Sequence, residues 1–127
     1  MKREIDKEFV VVSPKKSATV ESFDSTLYER LDTEYDGFTG HDLISCHVFE
    51  QDWPSWEIHP NGDEVVILLS GKVILVLELD GGNKEIQLGR DGDYVIVPKN
   101  TWHTAKIQEK SKLLFVTPGE GTLNRDI

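Results

Sequence analysis

Four side chains in this 127-residue sequence have types and spacing suited to holding a metal ion: Glu57, His59, Glu64 and His103. Glu57 and His59 stand two apart in Trp56-Glu57-Ile58-His59. In a strand such residues point to the same side, so Trp56 and Ile58 point to the other. Pro60-Asn61-Gly62-Asp63 is a strong turn signal. It turns the chain back and brings Glu64 beside the first two groups. Glu64 in turn opens Val65-Val66-Ile67-Leu68-Leu69, which reads as buried sheet. Charged groups seldom enter such surroundings unless they are paired or hold a metal. Two buried carboxylates would repel, and one pKa would rise, unless a cation lay between them.

His103 supplies a fourth group. The strand it opens puts His103, Ala105 and Ile107 on one face and Thr104, Lys106 and Gln108 on the other. The first face is apolar apart from the histidine, so His103 is expected to point inward, near the end of another strand. Two imidazoles with one or two carboxylates suit a divalent transition metal such as Fe, Mn, Ni, Co or Zn, and suit Cu(I) poorly.

The elements that must position these groups are strands. From residue 43 onward short apolar runs alternate with Gly/Pro/Asn turns. The reading is Leu43–Phe49, Trp56–His59, Glu64–Leu69, a Ser70-Gly71 turn, Lys72–Leu79, then a hairpin at Asp80-Gly81-Gly82-Asn83 onto Lys84–Leu88. Tyr94–Val97, His103–Gln108 and Leu113–Thr117 follow. Many short strands with almost no helix argue for a sandwich or small barrel. Phe9–Val12 reads as an edge strand, stopped by Ser13-Pro14. Residues 23–35 fit either a helix, with Phe23, Leu27 and Leu31 in step and Asp24 as cap, or a short irregular strand.

The two stretches that carry the four groups resemble the two signature motifs of the cupin family. The first family motif ends H-x-H-x(3,4)-E-x6-G, and Glu57, His59, Glu64 and Gly71 occupy its positions. The second is G-x5-P-x-G-x2-H-x3-N, and Gly92, Pro98 and His103 match it, with Asn100 at the interior glycine. Asn tolerates the left-handed backbone better than most residues. Gln51 and Ile107 stand where the opening glycine and closing asparagine would fall. The resemblance covers about residues 43–117. It implies an all-β fold, the double-stranded β-helix or jelly-roll barrel. Here that barrel spans residues 23–127 after an N-terminal extension, 1–22.

The resemblance also implies a divalent metal inside the barrel, held by His59, Glu64 and His103. Glu57 replaces the first motif histidine. It is either a further ligand, a group just outside the ligand set, or the sign of a site without metal. The implied function is a metal-dependent cupin that binds and transforms a small organic molecule in the cavity, with a non-catalytic ligand- or metal-binding module as the rival.

Composition bounds the rest. A formal charge of −9, from 14 Lys+Arg against 23 Asp+Glu, argues against nucleic acid and anionic membrane as partners. Cys46, the only cysteine, allows no internal disulfide and reads as a small buried hydrophobe. No signal-peptide core or membrane-length apolar run is present, so a cytoplasmic protein is expected. Val73–Leu79 is apolar on both faces, which puts the second face under a neighbouring subunit or the N-terminal segment; together with the apolar run Phe9–Val12 it predicts a homodimer. Trp102 is read as packing, His41 and His47 as structural. The tail from Thr117 to Asp126 is read as an edge of the cavity mouth.

Overall fold

The apolar runs on either side of Ser70-Gly71 form one strand, not the two that the turn residues predicted. In a computed structural model describing residues 1–127, β5 is continuous over Glu64–Leu79 and β8 over His103–Thr117. They pair antiparallel from Val65 opposite Val116 to Leu77 opposite His103, with register shifts between Leu68 and Val73. Gly71 sits at this irregularity with φ of 101°. A Cβ there would lie 2.6 Å from the Lys110 carbonyl oxygen and from the Ser111 Cα. Only glycine fits, so the ladder bends around a barrel corner where a turn was expected.

The remaining elements assemble around this pair: β1 (Glu8–Val12), β2 (Ala18–Ser22), α1 (Leu27–Glu34), β3 (Asp42–Phe49), β4 (Ser55–Ile58), β6 (Gly82–Leu88), β7 (Tyr94–Val97) and β9 (Leu123–Asp126). β3 runs along β8. β1 pairs with β3 on one side and β2 on the other, so β2 is the edge and the expected edge strand is interior. β6 folds back on β5 through Asp80-Gly81, and β7 lines the first half of β5. β4 joins β8 at one register position, Glu57 opposite His103, and pairs with β9 on its other side. The sheet closes into the barrel expected of a cupin.

Of residues 23–35, Leu27–Glu34 form a helix, and Phe23, expected in step with Leu27 and Leu31, lies before it and is 46% exposed. Thr26 is the N-cap position, and Asp24 acts two residues earlier. Its Oδ1 accepts hydrogen bonds from the Thr26 amide and hydroxyl at 2.9 and 2.8 Å and pairs with Arg30 at 2.6 Å. Leu27 and Leu31, four apart, are buried with Phe9, Val11, Phe38 and Leu43. Each such side chain contributes about 1.5–3 kcal/mol by leaving water, which docks the N-terminal hairpin and the helix on the barrel. A second core of Val66, Leu68, Val73, Leu75, Leu113 and their neighbours fills one end of the barrel. The other end stays open.

Within β5, Val76 is only 4% exposed. The chain itself covers this residue of the second face, while Ile74 on the same face is half-buried. Cys46 is buried as expected. No helix is long and apolar enough to cross a membrane.

Candidate metal centre

Two turns meet at the open end and bring the motif residues together. The Asp63 carboxylate accepts the Lys99 amide at 2.7 Å, and the His59 carbonyl accepts the Asn100 amide at 2.9 Å. Asn100 holds φ of 62°, the left-handed conformation that its place in the motif required. The turn after β4 is thereby tied to the turn before β8. His59 and Glu64 flank the first turn and His103 follows the second.

The four predicted residues converge. His59 Nε2 lies 3.2 Å from Glu64 Oε2 and 3.5 Å from Glu57 Oε1, and His103 Nε2 lies 3.1 Å from Glu64 Oε1. His59, Glu64 and His103 are 3%, 3% and 0% exposed, whereas the Glu57 side chain keeps 32% of its surface. One donor atom from each of Glu57, His59 and His103 falls within 4.8 Å of the others. Glu64 completes the set, since its two oxygens lie against both imidazoles.

Hydrogen bonds on the far side of each ring orient it. The Thr122 hydroxyl donates to the Gly119 carbonyl at 2.9 Å, so toward His59 it accepts, and His59 Nδ1–H is the donor at 2.8 Å. His103 Nδ1–H donates to the Thr101 carbonyl at 3.1 Å. In the neutral rings both Nε2 atoms then present lone pairs toward carboxylate oxygens that also only accept. Thr117 donates to Glu64 Oε2 at 2.6 Å. His59 Nε2, His103 Nε2 and Glu64 Oε1 are buried with no hydrogen-bond partner.

Buried acceptors facing one another are costly unless something positive joins them. A proton is one solution, and the electrostatics point that way in the metal-free protein. Burial would raise the Glu64 carboxyl, but hydrogen bonds and charge from His103 and His59 outweigh it and hold it at about 2. Burial would lower the His103 imidazole, but Glu64 outweighs it and raises it. Glu57 is raised, by burial first and then by the Glu64 charge, against the opposing pull of the histidines.

A divalent transition metal is the other solution, and the residues fit it. Donors on one ion with bonds of about 2.1 Å stand some 3–4 Å apart, close to the spacing found. Two imidazole nitrogens and two carboxylates are a suitable donor set, and each imidazole already has the outer hydrogen bond that such ligands usually make.

The site opens into a cavity of about 1100 Å³. The C-terminal segment supplies part of its lining through Gly119, Gly121, Thr122 and Asn124, as expected of an edge of the mouth. β9 is held there by Arg125, which pairs with Glu78 at 2.6 Å and lies over the rings of Trp56 and Trp102 at 5.2 and 4.6 Å. Trp102 thus packs as expected. His47, read as structural, also lines the cavity, and Tyr28 of α1 reaches to 3.5 Å from its Nε2. Phe9 and Phe23 meet the His47 ring edge-on at 5.2 and 5.1 Å. The one sign of a cavity role in the sequence was its alternation with Leu43, Ser45 and Phe49 along β3.

Comparison with known proteins supports the same fold. No curated protein matches the sequence. Among solved structures, a cupin-2 domain protein of Shewanella frigidimarina is similar at TM-score 0.52 and 22% identity, over 61% of this chain and 70% of its own. Hydroquinone 1,2-dioxygenase of a Sphingomonas species, bound to 4-hydroxybenzoate, gives 0.51 and 18%, over 60% and 58%. Oxalate decarboxylase of Bacillus subtilis, which has Mn(II) centres, gives 0.56 and 19%, over 68% of this chain but 24% of its own. The family model of the cupin domain matches residues 49–117. Those residues include both motifs and all four converging side chains, and on that match the chain belongs to the cupin domain family.

Proposed function

We propose that this protein is a metal-dependent cupin that binds and transforms a small organic molecule in the barrel cavity, with the ion held by His59, Glu64 and His103, and with Glu57 as either a fourth ligand or a general base beside it. The observation that carries this reading is the set of three buried acceptor atoms with no donor between them, on His59, His103 and Glu64. A bound divalent metal would supply Lewis-acid polarisation or an oxygen-binding centre. The chain's own groups do the rest. Thr122 and the Thr101 carbonyl keep the imidazoles in the Nδ1–H form. Thr117 orients Glu64. Glu57, partly exposed to the cavity and with its carboxyl raised, is suited to hold or release a proton beside a bound molecule.

A non-catalytic carrier would call for a purely apolar chamber. Here Tyr28, Ser45, His47, Glu57 and Asn124 line the cavity, and this polar lining favours an enzyme.

The test is metal analysis of chain purified without a histidine tag. About one ion per chain, removed by a chelator and absent from His59→Ala and His103→Ala, is expected. A folded chain that takes up no divalent transition metal, or ligand variants with unchanged metal content, would refute the proposal.

A further inference from the structure

The cavity walls carry a charge and shape pattern that the metal donors do not need. From the buried His103 an aromatic path runs outward. Trp53 meets the His103 ring at 6.1 Å between centroids, and lies 5.7 Å from Phe49 and 6.0 Å from Phe115. His47 then stands 6.0 Å from Phe49 and 6.1 Å from Phe115. Tyr28 reaches His47 at the far end. All five side chains beyond His103 line the cavity, so a flat molecule lying there would have one continuous wall of rings beside it.

The charges lining the same space are almost all negative. Asp32, Glu50, Asp52, Glu57 and Glu64 face Lys110 as the single lysine or arginine. Lys110 lies 3.6 Å from Glu50, with both side chains 70% exposed, so these two offset each other at the rim and Asp32, Asp52, Glu57 and Glu64 remain. Burial holds the His47 imidazole low, which keeps that end uncharged. A divalent ion among Glu57, Glu64 and two neutral imidazoles would leave no net positive charge to offset this.

We infer that the cavity selects a planar aromatic molecule that is neutral or positively charged and disfavours the corresponding carboxylate. The inference rests on the reading of this cavity as the substrate chamber. The aromatic wall supplies contact area, and the unpaired carboxylates of the mouth, Asp32 and Asp52, repel an anion. A cationic or uncharged polar arm can lie toward Glu57, or toward the Tyr28–His47 end.

Calorimetric titration of the full, zinc-loaded chain with three molecules of one shape tests this: tryptamine, tryptophol and indole-3-acetate, with butylamine as a cation without a ring. Tryptamine and tryptophol are expected to bind at least about tenfold more tightly than indole-3-acetate, and tryptamine more tightly than butylamine. Added salt should narrow the gap between tryptamine and indole-3-acetate. Phe49→Leu, with its fold checked by thermal melting, should weaken both favoured indoles and leave their preference over the acid intact. The inference is overturned if indole-3-acetate binds as tightly as tryptophol, if butylamine equals tryptamine, or if no indole binds saturably. Metal content is measured on the same sample. A chain without metal that keeps the preference would refute the proposed function alone, and a metal-bearing chain that prefers the acid would refute this inference alone.

Discussion

Thr122 accepts a hydrogen bond from His59 Nδ1–H at 2.8 Å and gives its own proton to the Gly119 carbonyl at 2.9 Å. A residue 63 positions away thus sets which nitrogen of His59 faces the centre. Thr122→Val should weaken metal binding about 10–100-fold, the usual cost of losing such an outer hydrogen bond. Thr122→Ser, which keeps the hydroxyl, should retain most of the affinity. Competition against a chelator of known affinity reads both, and equal affinities for the two variants would remove the role assigned to Thr122.

Glu57 separates ligand from neighbour. As a ligand, its change to Gln replaces an anionic oxygen with a neutral amide, so metal affinity should fall sharply. Glu57→His should restore it by rebuilding the three-histidine, one-glutamate set that the motif resemblance implies. If Glu57 instead serves the reaction, Glu57→Gln should keep most of the metal and lose turnover. Metal content and activity both unchanged would leave Glu57 as a solvated carboxylate at the cavity mouth.

The stability of the metal-free protein should fall at both ends of the pH scale. Glu64 is depressed from 4.5 to about 2. Its contribution is therefore present above 4.5 and disappears as pH falls toward 2. His103 is raised above 6.5, so its contribution is full below 6.5 and is lost as pH rises through the raised value. Urea midpoints of the chelated protein should be highest between these limits. Glu64→Gln should flatten both arms, and arms that persist unchanged would mean that other groups cause them.

Metal binding should also weaken on the acid side, where protons compete with the ion for the imidazoles. The ligands must be deprotonated, so affinity should weaken as pH falls through the raised value of His103. A binding isotherm that does not move over that range would argue that the imidazoles are not ligands.

Gly71→Ala should be among the most damaging small changes in the chain. The backbone has φ of 101°, and the new methyl would press on the Lys110 carbonyl and on Ser111. Ser111 is itself fixed, accepting from the Lys72 amide at 2.9 Å and donating to the Glu109 carbonyl at 2.7 Å. A loss of about 3–5 kcal/mol is expected. Gly89→Ala, with nothing within 4 Å of the added atom, should lie within about 0.5 kcal/mol of the starting protein. Denaturant unfolding of the two variants compares them directly.

The facing of Glu57 and His59, the return of Glu64 after Pro60–Asp63 and the inward turn of His103 were all legible in residue order. They depend on the two-residue period of a strand and on turn chemistry, which act over a few positions. The positive φ at Asn100 was legible only through the motif resemblance, which sets a glycine there. Local rules failed at Ser70-Gly71, because a glycine that ends a strand and one that lets it bend look alike until Lys110 and Ser111 pack against it. They also left residues 23–35 open, since eight residues of helix are marginal without the pocket that Phe9, Val11 and Leu43 build for Leu27 and Leu31. The tautomer of His59, the place of His47 on the cavity wall and the hold of Arg125 on β9 depend on partners far along the chain. Such hydrogen bonds and ring contacts have no period in the sequence, and exist only once β3, β8 and β9 lie where the closed barrel puts them.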